Sequence, residues 1–189
     1  MSQTAYDSQS AFRALMDATA RPGTIRTLDC EVAPAPLMPA TAAIVACLAD
    51  FETPVWLDPA LSQSPSVVEW IRFTTGAPLT TDSRAATFAL VADARALPEF
   101  GEFAQGSEEY PDRSTTVIAQ IERFAGGPFR LSGPGLKAPR AFAAAPLPAD
   151  FIARRAANHG VFPRGVDLIL VAGDQIAALP RSVRISGRD

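Results

Sequence analysis

Apolar positions in this chain recur first at helical and then at strand spacing, and the change marks its organisation. Ala11, Phe12, Leu15, Met16 and Thr19 fall on one helical face behind Asp7, which serves as N-cap, and Arg21-Pro22-Gly23 stops the helix. Thr24–Leu28 alternates as a short strand, and Pro34, Pro36 and Pro39 form a stiff connector. Pro39 or Ala40 opens a second helix that runs through Leu48. Val55-Trp56-Leu57, boxed by Pro54 and Asp58-Pro59, reads as a buried strand. Ser64-Pro65 caps a third helix to about Phe73, ended by Thr74-Thr75-Gly76, and Thr87–Ala92 is another apolar strand. Pro98–Asp112 reads as a solvated acidic loop, five acidic residues and no basic one standing among its prolines and glycines; a hard-cation site is the alternative, although the spacing matches no Ca²⁺ loop. Thr115–Ile121 and Phe129-Arg130-Leu131 flank Gly126-Gly127 and predict a hairpin. Pro134–Pro148 leads to a helix near Ala149–Asn158. Val166–Val171 is a strand buried on both faces except at Asp167, and it turns at Ala172-Gly173-Asp174 into Gln175–Leu179. Helix–strand alternation followed by hairpins predicts an α/β domain with a mixed sheet, without internal repeat or linker, over residues 1–189.

Composition narrows the chemistry. The chain has 189 residues, 48% hydrophobic and 20% charged, a globular balance for one domain. It has a single lysine (Lys137), a single histidine (His159) and two cysteines (Cys30, Cys47), against 16 arginines and 17 prolines. Metal binding, nucleophile–base pairs and Schiff-base chemistry draw on the scarce types. The two cysteines match no zinc spacing, and a reducing cytosol keeps them as thiols. The N-terminus shows no signal peptide, and the longest apolar run, Ala42–Ala49, is far short of the roughly 18 residues that span a bilayer. A soluble, cytoplasmic protein is expected. The net charge of −3 argues against non-specific nucleic-acid binding. Residues 150–189 nevertheless carry six arginines against four aspartates. Their forked guanidinium groups suit phosphate or carboxylate.

No GxSxG, HExxH, Walker A or GxGxxG motif occurs. Ser132-Gly133-Pro134-Gly135-Leu136 reads as a structural turn, because Pro134 lacks the N–H that a phosphate nest needs. Lys137 follows that turn, where a lysine is solvated. His159 could act as a base oriented by Asp167, but no nucleophile stands beside it. The densest cluster of unusual residues is Asn158–Asp167. A carboxylate entering a buried strand needs a cation, and Arg164 or Arg181 could supply it. The pair then either fixes the loop or contributes to a surface that binds an anion or a subunit.

Several blocks resemble, in order, those of the H subunit of the bacterial carbon–phosphorus lyase complex (the PhnH family). They are Phe12-Arg13-Ala14-Leu15-Met16-Asp17-Ala18 with Arg21-Pro22-Gly23, Thr53–Leu57, Ala86–Ala89, Leu131–Leu136, Phe162–Leu170 and Leu179-Pro180-Arg181-Ser182. Ser182 stands where the family has threonine. The resemblance implies a three-layer αβα fold like the large domain of pyridoxal-phosphate-dependent transferases, without the cofactor. It also implies an accessory role in organophosphonate breakdown. Subunits G, H and I, with the ATP-binding L subunit, exchange the base of a nucleoside triphosphate for a phosphonate and form ribose 1-phosphonate 5-triphosphate. The implied partners are a second copy of the chain and sister subunits G, I and J; no nucleic acid, membrane, metal or cofactor is implied. No catalytic residue carries over. Arg13, Arg164, Asp167 and Arg181 are the candidates for an anion or subunit contact. The alternatives are a phosphate- or nucleotide-binding module and a degenerate pyridoxal-type enzyme.

Overall fold

Prolines and apolar runs divide the chain into short elements. The computed structural model describes residues 3–28, 33–126 and 129–187. The first half holds α1 (Gln3–Ala20), β1 (Arg26–Thr27), α2 (Pro39–Leu48), β2 (Val55–Leu57), α3 (Pro59–Ser62), α4 (Pro65–Thr75), β3 (Leu79–Thr80) and β4 (Phe88–Val91). The second half holds β5 (Thr116–Gln120), β6 (Phe129–Ser132), β7 (Arg140–Phe142), α5 (Phe151–Gly160), β8 (Asp167–Ala172), β9 (Gln175–Leu179) and β10 (Arg184–Gly187). Helices α2, α3 and α4 each carry proline in the first turn, where its missing N–H costs nothing. Helix α1 begins at Gln3, ahead of the expected cap at Asp7.

The main sheet runs β1-β9-β8-β5-β4-β2-β3. Strands β3, β2, β4, β5 and β8 are parallel; β9 is antiparallel to β8, and β1 pairs antiparallel with β9, so β9 alone of the seven runs against the rest. The mixed α/β sheet and the β8–β9 hairpin are therefore as the sequence predicts. Alternate strand residues face two cores. Leu90, Ile118, Ile169 and Val171 pack under α1, α2 and α4. Val91, Val117, Leu168 and Leu170 face Phe100, Phe103 and Phe151, together with Leu131, Phe142 and Ile185 of a second sheet ordered β10-β6-β7. That second face thus carries a small antiparallel sheet beside α5. Among the described residues, no helix is long and apolar enough to cross a membrane.

The expected hairpin between Thr115–Ile121 and Phe129–Leu131 does not form. Strand β5 is buried on both faces and takes a central place between β4 and β8. Strand β6 alternates exposed Arg130 with buried Leu131, a pattern for a sheet with one wet face, and it pairs with β10 and β7. Gly127 lies outside the described residues. The acidic stretch 98–112 is anchored from inside by Phe100 and Phe103, both buried.

Candidate functional site

Open parallel sheets offer ligands a crevice at the carboxyl ends of their strands, where neighbouring connections diverge. Here β2 leads towards β3 and β4 leads towards β5, so the divergence lies between β2 and β4. Asp58, 5% exposed, stands at the end of β2. Its Oδ1 accepts the Leu61 amide at 2.9 Å, capping α3, and its Oδ2 accepts the Ala92 amide beyond β4 at 2.8 Å. Gln120, at the end of β5, accepts from the Met38 amide (2.6 Å) and the Thr41 hydroxyl (3.0 Å). Its amide nitrogen donates to the carbonyls of Pro36 (3.0 Å) and Ala92 (3.2 Å). All four of its bonding positions are used. The polar groups of the crevice therefore bind the chain's own connector across the strand ends. Sequence reading missed both residues, although Asp58-Pro59 carries the cap-then-proline signature of a helix start.

The predicted residues fall in different places. Asp167 and Arg181 form a forked pair, Nη2 to Oδ2 at 2.6 Å and Nε to Oδ1 at 3.2 Å. The Arg181 amide also donates to Oδ1 (2.7 Å), and Nη1 donates to the Pro111 carbonyl (2.6 Å). The cation for Asp167 is thus Arg181. Arg164 is exposed, and no ion pair holds it among the described residues. Arg13 is exposed on α1. A groove of about 310 Å³ runs beside the pair, walled by Pro111, Phe162, Pro163 and Pro180.

His159 does not pair with Asp167. Arg184 Nε lies 2.9 Å from His159 Nε2, and Nδ1 lies 3.1 Å from the Arg181 carbonyl. A guanidinium nitrogen only donates, so Nε2 accepts and Nδ1 carries the proton. Both ring nitrogens are occupied. Lys137 is exposed in its turn. Burial pushes the Cys47 thiol up, away from the reactive thiolate; Cys30 lies outside the described residues. Among the described residues, no group of three His, Cys, Asp or Glu is placed to hold a metal.

Two buried polar residues of α5 complete the region. Asn158 clamps Val166, accepting from its amide (2.9 Å) and donating to its carbonyl (3.0 Å), which sets the entry into β8. Arg155 is 1% exposed. Its Nη2 donates to the carbonyls of Pro180 (2.7 Å) and Val183 (3.4 Å), and Nε and Nη1 have no hydrogen-bond partner among the described residues. The Phe100 ring lies 5.6 Å from Cζ. Composition alone places arginine and asparagine in water. The signal was helical spacing, since Phe151, Arg155 and Asn158 share one face at i, i+4 and i+7. Burial pushes the Arg155 guanidinium down to about 10, against a small upward pull from Asp167. With the folded value below the unfolded one, the unfolded chain binds more protons between the two, so stability contributed by this group rises with pH there. Relative to Arg155→Met, the unsubstituted protein should gain about 1 kcal/mol between pH 8 and 10.5 in urea titrations. A pH-independent difference would refute this.

The blocks that carry the family resemblance meet in space. Gly135 sits against Ala20 and Pro22 of the Arg-Pro-Gly turn, Gly133 against Ser182, and Arg181 against Asp167 and Pro163. Arg140 ties the small sheet to the same turn through the Pro22 carbonyl (3.3 Å) and the Thr24 hydroxyl (2.5 Å). Comparison with known proteins follows this pattern along the whole chain. Residues 1–186 match the family model described as bacterial phosphonate metabolism protein (PhnH). The α-D-ribose 1-methylphosphonate 5-triphosphate synthase subunit PhnH of Rhizobium meliloti (strain 1021) is 45% identical over 182 residues, covering 95% of this chain and 90% of its own. HtxG of Stutzerimonas stutzeri, provisionally named a C-P lyase subunit protein, is 38% identical over 82 residues, covering 43% of this chain and 42% of its own.

Proposed function

The chain belongs to the PhnH family of bacterial phosphonate metabolism proteins, and from that premise we propose that it is a subunit of a carbon–phosphorus lyase system. In this reading it acts with subunits G, I and L to form ribose 1-phosphonate 5-triphosphate from a nucleoside triphosphate and an alkylphosphonate. The observation that carries it is 45% identity over 95% of the chain to a synthase subunit. We read residues 1–189 as one cytoplasmic domain, dimeric when isolated and docking on sister subunits G, I and J. Its mixed sheet suits a relationship to the large domain of pyridoxal-phosphate transferases with the cofactor lost, since the only lysine stands in an exposed turn.

The geometry supports work through surfaces. Asp58 and Gln120 spend their polar atoms on the chain's own backbone and Thr41, and both nitrogens of His159 are engaged. A phosphate-binding module built on Arg164 and Arg181 has less support, because the Arg181 fork already grips Asp167. Co-expression with the sister subunits should give a stable complex that turns over nucleoside triphosphate and alkylphosphonate, while the purified chain does neither. Full turnover by the chain alone would overturn the accessory role.

A further inference from the structure

The charge of this protein is segregated more sharply than its net value suggests. Residues 123–149 contain four basic side chains (Arg123, Arg130, Lys137, Arg140) and no acidic one. Residues 175–188 contain three (Arg181, Arg184, Arg188) and again no acidic one. Those two segments hold 7 of the 17 basic residues and none of the 20 acidic ones, which leaves 10 basic against 20 acidic elsewhere. Far apart in the chain, they meet in the small sheet, which holds Arg130 in β6, Arg140 in β7 and Arg184 in β10; Arg188 lies outside the described residues.

Register sets which arginines share its outer face. Arg184 lies opposite Ser132, and Ser186 opposite Arg130, which in turn lies opposite Ala141. Arg130 and Arg184 are therefore diagonal neighbours on the wet face, and both are exposed. Ser132, Ser186 and Ala141 beside them are too short to shield them. His159 takes the Nε–H of Arg184, which orients its guanidinium and leaves the two terminal nitrogens for another group. Exposed Lys137 adds a cation in the loop between β6 and β7, whereas Arg140, opposite buried Leu131, turns to the other face and holds Pro22 and Thr24. Among the described residues, none of Arg130, Lys137, Arg140 and Arg184 has an ion pair; Arg13, Arg72, Arg84, Arg113 and Arg164 share that lack but sit singly on α1, α4 and separate loops, whereas Arg130 and Arg184 share one sheet face.

Uncompensated arginines on a flat face of small residues make a poor feature for an isolated acidic protein and a good one for an interface. We propose that the outer face of the β6–β7–β10 sheet docks an acidic surface of a sister subunit, with Arg130 and Arg184 at its centre; this rests on the subunit reading above. A nucleic acid fits less well, since the rest of the chain carries ten excess negative charges that repel an extended polyanion.

The test titrates the full-length chain into the assembly of its sister subunits purified without it. At 0.1 M NaCl, Arg130→Glu/Arg184→Glu should weaken association at least about tenfold, because charge reversal places like charges across the contact. The milder Arg130→Gln/Arg184→Gln should weaken it by less, and both deficits should shrink at 0.5 M NaCl, where surface charges are screened. Arg72→Glu/Arg84→Glu, at exposed arginines outside the small sheet, should leave association unchanged. Equal affinity of the Glu and Gln variants with the unsubstituted chain overturns the docking face alone. So does binding of duplex DNA that Arg130→Glu/Arg184→Glu abolishes while assembly survives. Failure of the unsubstituted chain to enter the assembly overturns the subunit reading, and the docking face with it.

Discussion

Asp58→Ala should lower the melting temperature by about 10 °C. The carboxylate has two buried tasks that alanine cannot do. Losing the cap on Leu61 costs about 1 kcal/mol. Losing the bond to the Ala92 amide leaves a donor facing a site that was closed to water, which costs about 1–3 kcal/mol more. The sum, about 3 kcal/mol, corresponds to roughly 6–12 °C in a chain of this length. Asp58→Asn separates the two tasks. Its oxygen keeps one amide bond while its NH₂ group meets the other donor, so it should recover less than half the loss. Hydrogen exchange localises the effect: the Leu61 and Ala92 amides should exchange faster in Asp58→Ala, ahead of central β5. Uniform acceleration, or a melting temperature within 2–3 °C of the unsubstituted protein, would show that β2 and β4 do not depend on this clamp.

Asp58 also shows where sequence reading loses resolution. A three-residue strand bounded by Pro54 and Asp58-Pro59 is legible because proline and apolar runs act locally. Whether the aspartate only caps α3, or also reaches Ala92, depends on β4 lying parallel beside β2, a pairing of residues more than thirty positions apart. The same distinction explains why the expected hairpin between Thr115–Ile121 and Phe129–Leu131 does not form. Gly126-Gly127 is a local turn signal, and it was overridden by the demand of β5 for neighbours on both sides. The Asp167–Arg pair was legible as chemistry, since a carboxylate entering a buried strand must be neutralised. The choice of Arg181 over Arg164 was set by β9 returning beside β8. Arg155 and Asn158 were the hardest to find, because residue type pointed outward while helical spacing pointed inward. The basic small sheet was hidden for another reason: charge counted for 150–189 against the rest of the chain mixes 123–149 with the acidic residues that precede it.

Gly135→Ala should be as damaging as Asp58→Ala, and comparison with Gly173→Ala shows why. Both glycines have positive φ, +80° and +64°, so both substitutions carry the left-handed penalty of about 1 kcal/mol. At Gly173, in the β8–β9 turn, an added Cβ meets nothing within 4 Å, so that penalty is the whole effect. At Gly135 the same atom would lie 2.5 Å from the Ala20 carbonyl oxygen and 2.8 Å from Pro22 Cδ. Neither obstacle is the end of a flexible side chain. The carbonyl closes α1, and the proline ring belongs to a turn that Arg140 also holds. Relief therefore requires the loop of the small sheet to move away from the end of α1, at a further cost of about 2 kcal/mol by analogy with overpacked cores. Urea midpoints should place Gly135→Ala about 3 kcal/mol below the unsubstituted protein and Gly173→Ala about 1 kcal/mol below it. Equal losses would mean that the two blocks are not in rigid contact. A larger loss at Gly135 would show that the Arg-Pro-Gly and Gly-Pro-Gly turns answer to one physical constraint. Each motif supplies the space that the other needs, and together they fix the small sheet, with its exposed arginines, against α1.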